Sequence, residues 1–210
     1  MAADMVAWRN AVAASSGDLQ QALATHKAQV AGIRQRPISD SQKQAEIAAS
    51  YLAAASKVAA LKRADNAALS QAGSQAERQA FAPPAAERQD PAAIMAARDA
   101  RDRARELEKP ADAQALLDEA QAAGDDSLGR AVAQHSYSQG WHGVTGQWAA
   151  NQPPAVTASL DDAAEVANLG SPAGVMARSM AYYVPVPPEL GTRTQGQLQT
   201  LANGAMGSYG

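Results

Sequence analysis

A chain of 210 residues can hold one or two domains, and 46% of its side chains are hydrophobic, but aromatics are only 4% and Phe81 is the single phenylalanine. With no cysteine, disulfides, thiolate metal sites and a cysteine nucleophile are excluded. The net charge of −3 divides into +3 over residues 1–89 (ten basic, seven acidic) and −6 over 90–210 (eight basic, fourteen acidic), and neither half has the concentrated basic composition of a dedicated nucleic-acid binder.

Much of the hydrophobic share is alanine, which favours helix because it loses no side-chain entropy there, yet buries little area. Such a chain gains helices easily and a thick core only with difficulty. Long helices zipped along narrow seams, or helices completed by a partner, are the expected solution. No window approaches about 18 continuous apolar residues, so no membrane span is expected. The N-terminus lacks the basic-then-apolar order of a secretory signal, because Asp4 comes first and Arg9 interrupts the apolar run.

Residues 4–35 read as helix. Trp8 and Val12 are one turn apart, and Leu19, Leu23, His26, Val30 and Ile33 follow alternating spacings of four and three, the seam of a helix packed along another helix. Ser15-Ser16-Gly17-Asp18 is a candidate interruption. Pro37 turns the chain, and Ser39 with Gln42 forms the pattern of a capping box. The next helix carries Ile47, Tyr51, Ala54, Val58 and Leu61 at the same spacings and can run through Leu69 to about Ala80. Two matching seams joined by a short turn predict an antiparallel pair.

Pro83-Pro84 breaks the helix and marks a linker. Asp90-Pro91 is a start signal, aspartate at the N-cap and proline at the first helical position, for a charged helix to about Glu108. Pro110 restarts the chain for a helix ending at Gly124. Asp125 or Asp126 caps the next, which ends near Gly140, and a short helix follows over 141–150. A stack of helix pairs and a compact orthogonal bundle would both give this punctuation. After Pro153-Pro154, short helices are expected over 159–169 and 172–180. The stretch 182–190 must be extended, since Pro185, Pro187 and Pro188 forbid helix and favour polyproline II. The tail over 191–210, rich in Gly, Gln and Thr, reads as mobile in isolation.

Together these features predict an all-α fold. A long N-terminal antiparallel helical hairpin would occupy residues 1–82, a linker 83–90 and a small bundle of short helices 91–152. C-terminal helices and an extended, proline-rich docking tail would occupy 153–210.

The chemistry-bearing residues do not converge. His26, His135 and His142 lie on different elements or around a turn, and none has a Glu or second His at metal-ligand spacing. His26, on the seam, is better placed to set register than to hold a metal. Asp125-Asp126 and Asp161-Asp162 sit at expected helix starts, where capping and dipole compensation account for them. There is no phosphate loop, dinucleotide fingerprint or nucleophile elbow. Arg98, Arg101 and Arg105 share a helix face that could meet phosphate, but Arg98–Asp102 and Asp99–Arg103 have ion-pair spacing, which favours a self-paired surface. Trp141 and Trp148, seven apart, read as core. The strip Tyr182, Tyr183, Val184, Pro185, Val186, Pro187, Pro188 and Leu190 either lies over its own domain or docks in a neighbour's groove. No catalytic, cofactor-binding or metal-binding residue is assigned.

The ordered segments "IRQRPISDSQKQAEIAASYLAAASKVAALKRADNAAL", "ERQAFA", "DPAAIMAARDARDRARELEKPADAQALLDEAQAAGDDSLGRAVAQHSYSQGW" and "YYVPVPPEL" resemble a loosely defined family of helical proteins encoded among the virion structural genes of tailed actinobacteriophages. The most telling stretch is Asp-Pro followed by helix, then "AGDDSLGRAVA" and "GW". The chain departs from that pattern in the weakened charge of its long helices and in its Gln- and Gly-rich tail. The resemblance implies a non-enzymatic minor capsid or head–tail connector component of the virion, assembled in the bacterial host cytoplasm. Its partners would be capsid, portal or connector proteins and copies of itself, with no cofactor, no membrane and no specific nucleic-acid recognition. An assembly scaffold and a secreted bacterial helical-hairpin protein are the alternatives. The latter is disfavoured by the lack of a Trp-X-Gly turn between the long helices.

Overall fold

Alanine and straight-chain residues dominate, and the backbone follows their preference. The computed structural model describes residues 3–206, which are helical almost throughout and contain no strand. In chain order the helices are α1 (Ala3–Gln35), α2 (Asp40–Ala80), α3 (Pro91–Arg105), α4 (Pro110–Ala123), α5 (Asp126–Ser138), α6 (His142–Ala150), α7 (Pro154–Gly170), α8 (Pro172–Ala181) and α9 (Gln195–Met206). A 3-10 turn spans Pro188–Leu190.

The chain divides into two compact units. One, the long-helix unit, is built on residues 6–71 and 166–210; the other, the short-helix unit, on 1–5 and 72–165. α1, α2 and α7 each contribute a segment to both.

In the long-helix unit, α1 meets α2 in reversed order. Val30 and Ile33 share a buried cluster with Ile47 and Ala48, Leu19 and Ala22 share one with Ala54 and Val58, and Ser15 reaches Asp65. The turn between the helices is fixed by the capping box: Gln42 N donates to Ser39 Oγ at 3.3 Å, and Ser39 N donates to Gln42 Oε1 at 3.1 Å. Several buried seam positions are alanine (Ala22, Ala45, Ala48, Ala54), so the interior is thin and the large side chains carry most of its apolar area. Ile47 is fully buried.

The short-helix unit owes its edges to local chemistry. Asp90 Oδ1 accepts from Ala92 N at 3.0 Å with Pro91 at the first helical position. Asp125 Oδ1 accepts from Leu128 N at 2.9 Å and caps α5. Gly124 ends α4 at φ 69°, a left-handed position that a Cβ would strain. The core gathers Phe81, Leu117, Leu128, Val132, Val144, Trp148 and Leu160, with the Phe81 and Trp148 rings stacked at 5.5 Å. Residues 83–90 form turns, in which Glu87 N donates to Pro84 O at 3.0 Å.

Three expectations are corrected. Ser15–Asp18 do not interrupt α1, which runs unbroken; Ser15 instead donates sideways to Asp65 at 3.1 Å. The helix expected from Ser159 begins at Pro154, because a proline at the first helical turn loses no hydrogen bond. Asp161 and Asp162 are therefore mid-helix and not caps, and Asp162 is only 4% exposed. The expected mobile tail contains α9, opened by a second capping box in which Thr194 N donates to Gln197 Oε1 at 2.8 Å and Gln197 N to Thr194 Oγ1 at 3.4 Å. Residues 207–210 of that tail lie outside the described residues.

Candidate interaction sites

The strip after α8 lies over its own unit. Its prolines hold 183–187 extended where extension was expected through 190, and the 3-10 turn Pro188–Leu190 follows; polyproline II and the 3-10 helix both repeat every three residues, so one face should recur at that interval. It does: Val184, Pro187 and Leu190 are buried, while Tyr183, Pro185, Val186 and Pro188 are exposed. Val184 enters the cluster of Leu19, Ala22, Ala54 and Val58. Leu190 enters that of Val30, Ile33, Ile47 and Ala48, which Leu198 and Ala202 of α9 also join. Half-buried Tyr182 donates from its hydroxyl to Asp65, the carboxylate that Ser15 also reaches. At the far end, Arg34 grips Glu189 with two bonds of 2.6 and 3.0 Å. That hydrogen bond holds the Glu189 carboxyl below the usual carboxylate range. The strip is a strap seated between α1 and α2, and only its outer side chains are open to a partner.

The seam residues sit where their spacing puts them. Leu19, His26, Val30, Ile33, Ile47 and Val58 are buried, and Leu23, Tyr51 and Leu61 are half-buried against them. His26 is 7% exposed, with Nδ1 2.9 Å from Ser50 Oγ. Ser50 donates its one proton to Gln29 Oε1 at 2.8 Å, so Nδ1 carries a hydrogen and donates to Ser50. Burial pushes the imidazole below its ordinary value. His135 Nε2 donates to Leu107 O at 3.0 Å, with its ring edge-on to half-buried Trp141, and His142 opens α6 in solvent. The three histidines are not brought together, and among the described residues no three His, Cys, Asp or Glu side chains are placed to hold a metal.

In the long-helix unit, a cavity of about 290 Å³ is lined by Trp8, Val12, Leu19, Leu169, Ala181 and Tyr182, with Asp65 and Arg178 at its polar edge. Arg178 Nη1 donates to Asn66 Oδ1 at 3.0 Å, tying α8 to α2. In α8 Val175 is 44% exposed, Met176 69% and Met180 70%, and in the strap Tyr183 is 64% and Val186 42% exposed.

In the short-helix unit, a cleft of about 470 Å³ gathers Arg78, Arg88, Arg101 and Arg130. Of the arginines singled out by helix-face reasoning, only Arg101 takes part. Arg105 pairs with Asp102 at 3.2 Å, both 72% exposed, and lines a neighbouring hollow with Glu77 and His135. The other three cleft arginines come from the end of α2, the 83–90 turns and α5. No spacing rule links residues so far apart in sequence, which is why the cleft was invisible before the fold was known.

Comparison of the chain with protein-family models, curated proteins and solved structures yields no match.

Proposed function

We propose that this chain is a non-enzymatic structural component of a tailed-phage particle, in the minor capsid or head–tail connector class. In this reading the two long helices are a bracing hairpin, the short helices a supporting bundle, and the strap with α8 the contact surface for a neighbouring virion protein. The observation that carries it is the exposure of Val175, Met176, Met180, Tyr183 and Val186, read here as one apolar row. Met176 and Met180 stand one turn apart, and a flexible thioether flanked by a tyrosine is the composition of adaptable protein contacts. The prolines and the burial of Val184 and Leu190 fix the strap that carries Tyr183 and Val186, which lowers the entropy lost when a partner binds. The described residues contain no helix long and apolar enough to cross a membrane.

The test is substitution, because truncation after Met180 would also strip Val184, Leu190 and Leu198 from the interior. Changing Met176, Met180 and Tyr183 together to Ser should leave the helical fold intact and abolish co-assembly with capsid and connector proteins. Unimpaired incorporation would refute the contact surface. Mass spectrometry of mature particles should then find the chain at fixed copy number. Its absence from mature particles but presence in precursors would favour the assembly-scaffold alternative.

A further inference from the structure

We propose that the four-arginine cleft of the short-helix unit is a binding site for a small polyphosphate anion, of the class of pyrophosphate or a nucleoside diphosphate. Arg78 arrives from the last turn of α2, Arg88 from the turns before α3, Arg101 from α3 and Arg130 from α5. The remaining lining is Phe81, Ala82, Pro83, Ala97, Ser127, Ala131 and Gln134, so no carboxylate faces the space the guanidinium groups share. One counter-charge is present at the edge, Glu87, which accepts from Arg130 at 3.0 Å. A second, Glu77, lies in the adjoining hollow with Arg105 and with Arg101, which lines both spaces. Four cations against two adjoining carboxylates leave an excess positive charge in a concave surface, where low-dielectric walls focus the field on an incoming anion.

Two of the four guanidinium groups are also held by the backbone. Arg88 donates its Nε to Pro83 O at 3.0 Å, and Arg101 donates its Nε to Ala97 O at 2.8 Å. Each bond uses the inner nitrogen on a backbone carbonyl and leaves the two outer nitrogens as a fork. A planar fork fits two oxygens of one phosphate, and fixing it in advance reduces the entropy lost on binding. Ser127 and Gln134 add neutral donors at the rim. The volume of about 470 Å³ suits a ligand of nucleotide size. A single carboxylate would leave most of the four cations unanswered, whereas adjacent phosphates place several negative charges within one cleft. The cleft belongs to one unit and the apolar row of α8 to the other, so the two proposals stand or fall separately.

Isothermal titration of the full chain with pyrophosphate, with ADP and with a short single-stranded oligonucleotide tests this. Saturable one-to-one binding of pyrophosphate or ADP is expected. Arg101→Gln and Arg88→Gln should each weaken it by about tenfold or more, the loss of one charge-assisted hydrogen bond. Arg98→Gln removes the same charge from an exposed neighbouring position of α3 outside the cleft and should leave binding unchanged. Tighter binding of ADP than of pyrophosphate would identify a nucleotide as the source of the phosphates. Three results would overturn the proposal: no saturable binding of either small anion, binding confined to the oligonucleotide, or equal losses from Arg98→Gln and Arg101→Gln. Unchanged helical circular dichroism in each variant separates loss of the site from loss of the fold.

Discussion

Tyr182 and Asp65, 117 positions apart, are joined by a hydrogen bond from the phenol to the carboxylate, on the same oxygen that Ser15 reaches from α1. One buried carboxylate thus ties the start of the strap to both long helices. Asp65 is 8% exposed, and a charge taken that far from water needs its donors. Tyr182→Phe should lower unfolding stability by about 1.5–3 kcal/mol, the range for a hydrogen bond to a charged group. Urea unfolding of the full chain measures it. A variant as stable as the parent would mean the bond does not anchor the strap.

The period of three along the strap separates structural from surface residues. Leu190 is fully buried between Ile33, Ile47 and Leu198, so Leu190→Ala should cost about 2–5 kcal/mol and loosen α9 with it. Tyr183, at 64% exposure, should change stability by no more than about 0.5 kcal/mol when replaced by Ala. Hydrogen exchange across 195–206 gives a second reading. Protection of α9 should fall in Leu190→Ala and stay unchanged in Tyr183→Ala.

All-helical character was legible because alanine-rich sequence, Asp-Pro starts and glycine stops are local signals, and Asp90, Asp125 and Gly124 do what those signals say. Local signals were also misread. Pro154 opens α7 although a Pro-Pro pair reads equally as a break, and Thr194 with Gln197 forms a capping box within Gly- and Gln-rich sequence that otherwise signals disorder. The burial of Leu198 and Ala202 supplies the stability that their local composition lacks. The arginine cleft was beyond reach of sequence reasoning, because its charges come from four elements with no common period. Likewise, proline spacing foretold the extended backbone of 183–187 but neither the 3-10 turn at Pro188–Leu190 nor the places of Val184 and Leu190 on α1 and α2.

Glycine positions give opposing tests of local packing. A Cβ built on Gly174 would lie 2.6 Å from Asn168 O and 2.7 Å from Leu169 O, against backbone that cannot swing aside. Gly174 N also donates to the Ser171 cap at 3.2 Å, so the junction of α7 and α8 is held close. Gly174→Ala should destabilise by about 1–3 kcal/mol through overpacking. Gly32, inside α1 with open space around it, should respond the other way, Gly32→Ala stabilising by about 0.5–1 kcal/mol. Thermal unfolding of both variants checks this, and a shift of the same sign in the two would contradict it.

His26 makes the α1–α2 seam pH-sensitive, and the sign follows from burial. The folded chain holds the imidazole below the ordinary value of 6.5, so between the two values the unfolded chain binds more protons. The stability that neutral His26 contributes is fully present above about pH 6.5 and falls as the pH drops from there toward the lower folded value. Glu189, held low by Arg34, acts in the same direction but only below the ordinary carboxyl value of 4.5, so the two windows separate. Melting temperature should therefore decline between about pH 7 and pH 5.5, and His26→Leu, which removes the titrating group while keeping an apolar seam residue, should flatten that decline. The same variant leaves Ser50 without its donor, so its absolute stability can move either way; the slope is the diagnostic. An undiminished slope in His26→Leu would place the titration elsewhere.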